Sequence, residues 1–369
     1  MKLRWLPIVS SGAWSGPALA DWQLNLQHPD SIIAQRIYDL HSLILLICLV
    51  IFIAVFGTMF YALFKHRKSV GHAAHPFHEN TTVEVIWTVI PFLILVGMAW
   101  PATKTILAQK DTSDPDLTIK ITGYQWKWGY DYLQDKVKFM SVLATPQDQI
   151  QNKAPKDANY LLEVDEPMVV PVGKKVRVLL TSNDVIHSWW VPALGVKQDA
   201  IPGFIRDSWF RADRIGTFRG QCAELCGRGH AFMPIVVEVK SQADYDAWLA
   251  AKQSKLAMAA AQSTKTFDPA ALKAMGEKVY AANCGSCHQA NGKGIPGVFP
   301  ALAGDKVVVG SKAGHITTVL EGRPGTAMPA FGPQLSDADI AAVLSYERNA
   351  WGNNAGIVQP AEVAALRKK

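Results

Sequence analysis

Cysteine is scarce, charge is low and no long basic run occurs in the 369 residues. Each shortage removes a class of protein. Five cysteines are too few for a scaffold of this length to be built on disulfides. Charged residues make up 18% of the chain against 49% hydrophobic ones, which excludes a disordered or collagen-like polypeptide. The net charge of +6 is spread without clusters, and no nucleic-acid module is recognisable, so nucleic acid is not an expected partner. The length favours two or three domains.

The first segments address the chain to a membrane. Lys2 and Arg4, a modest apolar stretch and the small residues Ala18-Leu19-Ala20 read as a signal peptide over residues 1–20, with cleavage leaving Asp21 first. Ser42 to Phe64 is uncharged and long enough, at 1.5 Å per residue, to span roughly 30 Å of hydrocarbon. A second uncharged run, Val85 to Thr103, tolerates Pro91 because neighbouring groups in a membrane can satisfy the freed carbonyl. Residues 21–110 are therefore expected to hold a transmembrane hairpin in the lipid, with helices at about 42–64 and 84–103. Lys65, Arg67 and Lys68 place the connecting loop in the cytoplasm, so both ends of the chain, and the residues after 104, are expected to face outward.

Between residues 111 and 240 the period changes to two. Leu117, Ile119 and Ile121 alternate with polar residues, as do Val176, Val178 and Leu180, then Ile235, Val237 and Val239, with Gly and Pro as punctuation. A small antiparallel sandwich or barrel is expected. Near its end the sequence runs Gln221-Cys222-Ala223-Glu224-Leu225-Cys226-Gly227-Arg228-Gly229-His230-Ala231-Phe232-Met233, with His187 upstream. Two thiolates, two imidazoles and a thioether suit copper. A single-copper blue site needs one Cys, whereas two bridging sulfurs can hold two copper ions that share one unpaired electron. A Cys222–Cys226 disulfide and a zinc site are the alternatives, and neither accounts as well for His187 and Met233.

This loop resembles the binuclear copper A loop of the cytochrome c oxidase subunit II family, and the chain is similar to that family up to Lys240. The resemblance implies an all-β cupredoxin (Greek-key) domain whose metal ligands are His187, Cys222, Glu224 through its backbone carbonyl, Cys226, His230 and Met233. It also implies a magnesium or manganese ion held by the Glu224 side chain at the boundary with subunit I. Gly123-Tyr124-Gln125-Trp126-Lys127-Trp128 is similar to the family's aromatic segment, in which the residue matching Trp126 is where electrons enter from cytochrome c. Other aromatics there read as packing. Glu84, at the start of the second helix, matches a residue at the cytoplasmic mouth of a proton path; read alone, it is equally a capping or snorkelling acid. Phe204 stands where the family commonly has Arg, and Arg228-Gly229 is unusual before His230.

Residues 241–267 read as a partly helical, partly flexible linker. A third domain, 268–350, opens at Asp268-Pro269. Its Cys284-Gly285-Ser286-Cys287-His288 is the attachment pattern of a covalent haem c, with His288 as axial ligand. A zinc ribbon would need a second cysteine pair. Met328, in a loop flanked by proline, resembles the axial Met of class I cytochromes c, and Pro300 the proline whose carbonyl orients the axial His. Met275 reads as core. A capping box at Ser336 and Asp339 begins a helix that buries Ile340, Val343 and Leu344. The tail, 351–369, reads as loosely ordered.

The expected protein is thus a multidomain membrane protein: a two-helix transmembrane hairpin, an all-β cupredoxin domain and an all-α class I cytochrome c domain. As a whole it resembles caa3-type subunit II, with the cytochrome fused behind the copper domain. That resemblance implies a place in the bacterial plasma membrane with both redox domains on the periplasmic side. It implies subunits I and III as partners and a soluble or membrane-bound cytochrome c or similar donor. Oxygen reduction and proton pumping then belong to the complex. A subunit of a copper A nitric oxide reductase shares the chemistry and is the alternative. Nitrous oxide reductase would need more than the ten histidines present.

Overall fold

The computed structural model describes residues 25–71, 78–323, 326, 328–332 and 334–367. The expected signal peptide lies outside the described residues. Two helices, α1 (Ile32–Lys65) and α2 (Thr81–Lys110), are long and apolar enough to cross a membrane. Both outrun the uncharged segments that announce them. α1 starts at Ile32 because the Ser31 hydroxyl accepts from the Ala34 amide at 3.0 Å, and Asn80 caps α2 through the Val83 amide at 3.2 Å. Their outer ends are fastened to the next domain. Ser31 Oγ donates to the Leu194 carbonyl at 2.7 Å, and Trp209 Nε1 donates to the Ala108 carbonyl at 3.0 Å.

The middle domain is a sandwich of two five-stranded sheets. Its strands are β1 (Leu117–Tyr124), β2 (Lys127–Tyr132), β3 (Val137–Ser141), β4 (Met168–Pro171), β5 (Val176–Ser182), β6 (His187–Val191), β7 (Val196–Ala200), β8 (Arg206–Phe210), β9 (Gly216–Cys222) and β10 (Pro234–Lys240), with a short helix α3 (Gln147–Ile150) after β3. One sheet runs β3-β2-β1-β5-β8, the other β4-β10-β9-β6-β7. The expected antiparallel pairing holds for most strands, with two exceptions: β1 pairs parallel with β5 and β4 with β10. Alternating apolar residues mark which face of a strand is buried but not the direction of a partner that lies a long crossover away.

Ile119, Ile121, Val178, Leu180, Ile235 and Val237 are fully buried between the sheets. Tyr132 ties the layers together: its hydroxyl donates to the Val169 carbonyl at 2.7 Å and accepts from the Val169 amide at 2.9 Å. The segment after β10, expected to be partly flexible, is one helix, α4 (Gln242–Gln262), capped by Ser241. It is held because Tyr245 and Trp248 continue the aromatic cluster of the sandwich. The Trp248 and Tyr132 ring centroids lie 5.2 Å apart, and Lys252 pairs with Glu166.

The last domain comprises α5 (Pro269–Asn283), α6 (Gly285–His288), α7 (Lys306–Val309), α8 (Lys312–Glu321), α9 (Asp337–Glu347) and α10 (Pro360–Arg367). Asp268 caps α5 with Pro269 in the first turn, and the Ser336/Asp339 capping box opens α9, which buries Ile340, Val343 and Leu344. α5 crosses α9 at Gly276, where a Cβ would stand 2.0 Å from the Ala342 carbonyl oxygen, so only glycine permits the approach. The tail is not loose. Val358 and Val363 are fully buried, and Arg367 donates to Asp337 at 2.6 Å, so α10 closes the domain.

Candidate metal centre and haem-attachment site

The middle domain delivers donor atoms from three places. His187 opens β6, Cys222 ends the adjacent β9, and Cys226, His230 and Met233 follow on the loop leading into β10. Pairing of β6 with β9, with Trp189 opposite Cys222, brings His187 to the cysteine loop. The two sulfurs lie 3.8 Å apart, well beyond the about 2.05 Å of a disulfide, and both cysteines are free. His187 Nδ1 is 3.9 Å from Cys222 Sγ, and the Glu224 carbonyl oxygen is 3.3 Å from it. His230 Nδ1 and Met233 Sδ are each 3.5 Å from Cys226 Sγ.

All six sequence-predicted donors therefore converge on one pair of sulfurs. His187, Cys222, Cys226 and Met233 are each under 5% exposed. A lone zinc ion takes four ligands in a tetrahedron. Two thiols flanked by two imidazoles, a thioether and a carbonyl fit a pair of soft ions better.

Electrostatics prepares the sulfurs unequally. Burial alone would raise the Cys222 thiol, but hydrogen bonds from His187 and the Ser188 amide bring it down to about 7. Burial and the neighbouring Cys222 charge push Cys226 up to about 12. Without a cation the pocket accommodates one thiolate comfortably; a bound cation would be needed to hold two.

Two residues to which sequence reasoning gave no role complete the surroundings. Asp184 Oδ1 lies 2.8 Å from His187 Nε2, which fixes the ring so that Nδ1 faces the sulfurs. Burial disfavours the ionised Asp184 carboxylate, yet hydrogen bonds from His187 and from the Gln125 and Val185 amides hold it below its ordinary range. Gln125 bridges outward: its amide donates to Asp184 at 2.7 Å and its side chain donates to the Cys226 carbonyl at 2.8 Å. A carboxylate three residues before a candidate His ligand was the available signal; no local pattern marks Gln125.

Trp126 lies beside this loop. Its Nε1 donates to the Cys226 carbonyl at 3.1 Å, and its ring packs on Gly229, where a Cβ would come within 2.3 Å of it. Glycine before His230 is thus required by the indole. Glu84 is remote from the loop: it stands in the first turn of α2, and its Oε1 accepts from the Asn80 amide at 3.4 Å, the geometry of a capping acid. Phe204 is 63% exposed and Leu225 79%.

In the last domain Cys284 is the N-cap of α6 and Cys287 and His288 lie in its single turn, the His288 amide donating to the Cys284 carbonyl at 3.0 Å. His288 Nδ1 lies 2.9 Å from the Pro300 carbonyl oxygen, which leaves Nε2 for a metal. Met328 and Cys284 are both half-buried against the same apolar core, and Met275 packs there too. Burial and the nearby Glu347 raise the Cys284 thiol well above its ordinary value. Thioether formation would remove that proton. The residues present fit a covalent haem.

The comparisons agree domain by domain. Residues 117–240 match the family described as cytochrome c oxidase subunit II, periplasmic domain, and residues 19–105 match its transmembrane domain. Residues 271–346 match cytochrome c oxidase, cbb3-type, subunit III. Probable cytochrome c oxidase subunit 2 of Rickettsia felis is 40% identical over 252 residues, covering 68% of this chain and 78% of that one. Cytochrome c oxidase subunit 2 of Cereibacter sphaeroides is 40% identical over 238 residues, 61% of this chain and 78% of that one. The crystal structure of the periplasmic domain of cytochrome oxidase subunit II of Bradyrhizobium japonicum is 46% identical, covering 39% of this chain and 98% of that one, with a TM-score of 0.35.

Proposed function

The chain belongs to the cytochrome c oxidase subunit II family, with a cytochrome c domain behind it, and from that premise we propose that it is the electron-receiving subunit of a caa3-type oxidase. It is a subunit of a haem-copper oxidoreductase complex and a membrane protein with a periplasmic domain. The family implies copper A, and the cytochrome domain implies haem c. In the proposed route, electrons from an external cytochrome c or similar donor reach subunit I by way of haem c and copper A, and oxygen reduction with proton pumping takes place there.

The observation that carries this reading is the convergence of six donors on the Cys222–Cys226 sulfur pair. Copper held by His187, Cys222, Glu224, Cys226, His230 and Met233 would supply one one-electron carrier, and haem held by Cys284, Cys287, His288 and Met328 would supply a second. The protein's part is positional. Asp184 holds the His187 ring, Pro300 holds the His288 ring, and burial of Cys222 and Cys226 keeps water from the sulfurs. Trp126, bonded to the carbonyl of a ligand, is the proposed point where electrons reach the copper loop. Glu84 is the proposed mouth of a proton path, and the Glu224 side chain the proposed holder of magnesium or manganese. Phe204, Ile205 and Leu225 are exposed apolar side chains, and subunits I and III are the proposed partners in the complex.

Elemental analysis of the purified holo-chain tests the reading directly: two coppers and one iron per chain are expected. One copper or none would remove the copper A assignment, and absence of iron the haem.

A further inference from the structure

Lys127 follows Trp126 on the chain and opens β2, yet its side chain leaves the copper domain. Its Nζ donates to the Gln334 Oε1 of the haem-bearing domain and lies 5.1 Å from the centroid of the Phe331 ring. Both partners are on the segment that continues from Met328. That segment is firmly tied: the Phe331 amide donates to the Val319 carbonyl at 2.9 Å, and the Gln334 side chain donates to the Ala330 carbonyl at 2.6 Å. Phe331 is itself 7% exposed and part of the haem-domain core. α4 also touches α9, so the contact continues along a second line between the domains.

A lysine so placed is out of keeping with ordinary surface chemistry. Burial lowers its amine to about 8, against the opposing pull of the Asp184 charge. Desolvating an ammonium is unfavourable unless it gains specific partners, and here it gains one amide oxygen and one aromatic face. The same strand start therefore presents Trp126 to the copper loop and Lys127 to the methionine loop.

We propose that Lys127 is the positioning residue that seats the methionine loop of the haem-bearing domain on the copper domain beside Trp126. The inference rests on the proposed transfer from haem c to copper A. In that step one electron leaves the ferrous haem and one is gained by the copper pair, with no bond made or broken and no proton moved. Seating shortens the gap the electron crosses and covers the aromatic segment that a soluble cytochrome would otherwise approach.

Two measurements on the intact holo-chain test this. The first is acylation of lysines followed by mass spectrometry, each rate expressed per unprotonated amine by following labelling across pH. Lys127 should label about tenfold more slowly than Lys255, whose side chain is 74% exposed, and Gln334→Lys should abolish most of that protection by placing a like charge opposite it. The second is the internal rate of copper reduction after photoreduction of the haem. Lys127→Glu and Gln334→Lys should each slow it about tenfold, and the double variant, which restores opposite charges, should recover to within about threefold of the parent. Haem and copper absorption should be unchanged throughout.

Lys127 labelling as fast as Lys255, single variants transferring at the parent rate, or a double variant as slow as the singles would each overturn the seat. Failure of the parent itself to pass electrons from haem to copper would instead overturn the underlying route.

Discussion

The copper domain and the haem-bearing domain solve the problem of holding a redox group in opposite ways. The proposed copper ligands are spread from His187 to Met233 and are assembled by a large sandwich core of which Cys222, Cys226 and Met233 are a small part. The haem-attachment residues Cys284, Cys287 and His288 sit in one helical turn and its N-cap, on the edge of a smaller core to which Cys284 and Met328 are only partly added. In the first domain the fold makes the site. In the second the cofactor is expected to finish the fold, as metal and haem groups do in small domains.

Removing the thiols puts the greatest load on that contrast. Cys284→Ala with Cys287→Ala should eliminate covalent haem and leave residues 268–367 open to proteolysis, while the copper absorption and the resistance of residues 117–240 persist. Loss of the copper bands in the same variant would break the distinction. Cys222→Ala should do the reverse and in a milder form: copper content falls to one ion or none, yet the sandwich keeps its β-sheet circular dichroism because Trp189, Ile235 and Val237 still fill it.

Packing offers a second comparison. Gly276→Val forces a side chain into the Ala342 carbonyl and should lower the stability of the haem-bearing domain by about 3 kcal/mol, read as a shift in its own unfolding transition alone. Asp184→Asn acts on the other side. It leaves the shape of the pocket but weakens the hold on His187, and should reduce copper affinity by about 10- to 100-fold with altered copper bands and an unaltered haem spectrum.

The smallest effect concerns the seam. In the seated state Lys127 titrates at about 8, whereas a released lysine returns to 10.5. Between those values the released form binds more protons, so seating should strengthen as pH rises through this window and stay level below it. Protection of the Phe331 and Leu335 amides from hydrogen exchange, measured across pH 7 to 10 and corrected for the intrinsic rate, reads this directly.

What was legible in the sequence follows the same division. The cysteine loop and the Cys284–His288 turn are local patterns, so spacing exposes them. The start and capping of α5 and α9 were legible for the same reason, since Asp268, Pro269, Ser336 and Asp339 act within one turn. Features that depend on distant partners were not. Gln125 earns its place only by reaching Cys226, 101 positions away. The parallel pairing of β1 with β5 depends on a crossover rather than on either strand. Residues of the tail looked unpatterned because Val358 and Val363 find their neighbours on α8 and α9, and the helices of the hairpin extend beyond their apolar runs because caps, not hydropathy, set their ends.

Rapid mixing of the purified oxidase with a limiting amount of reduced donor tests the central claim most directly. The account predicts that the haem c bands of this chain appear first and that bleaching of the copper A band follows as they decay. Copper bands that stay fully oxidised while haem c is reduced would contradict it.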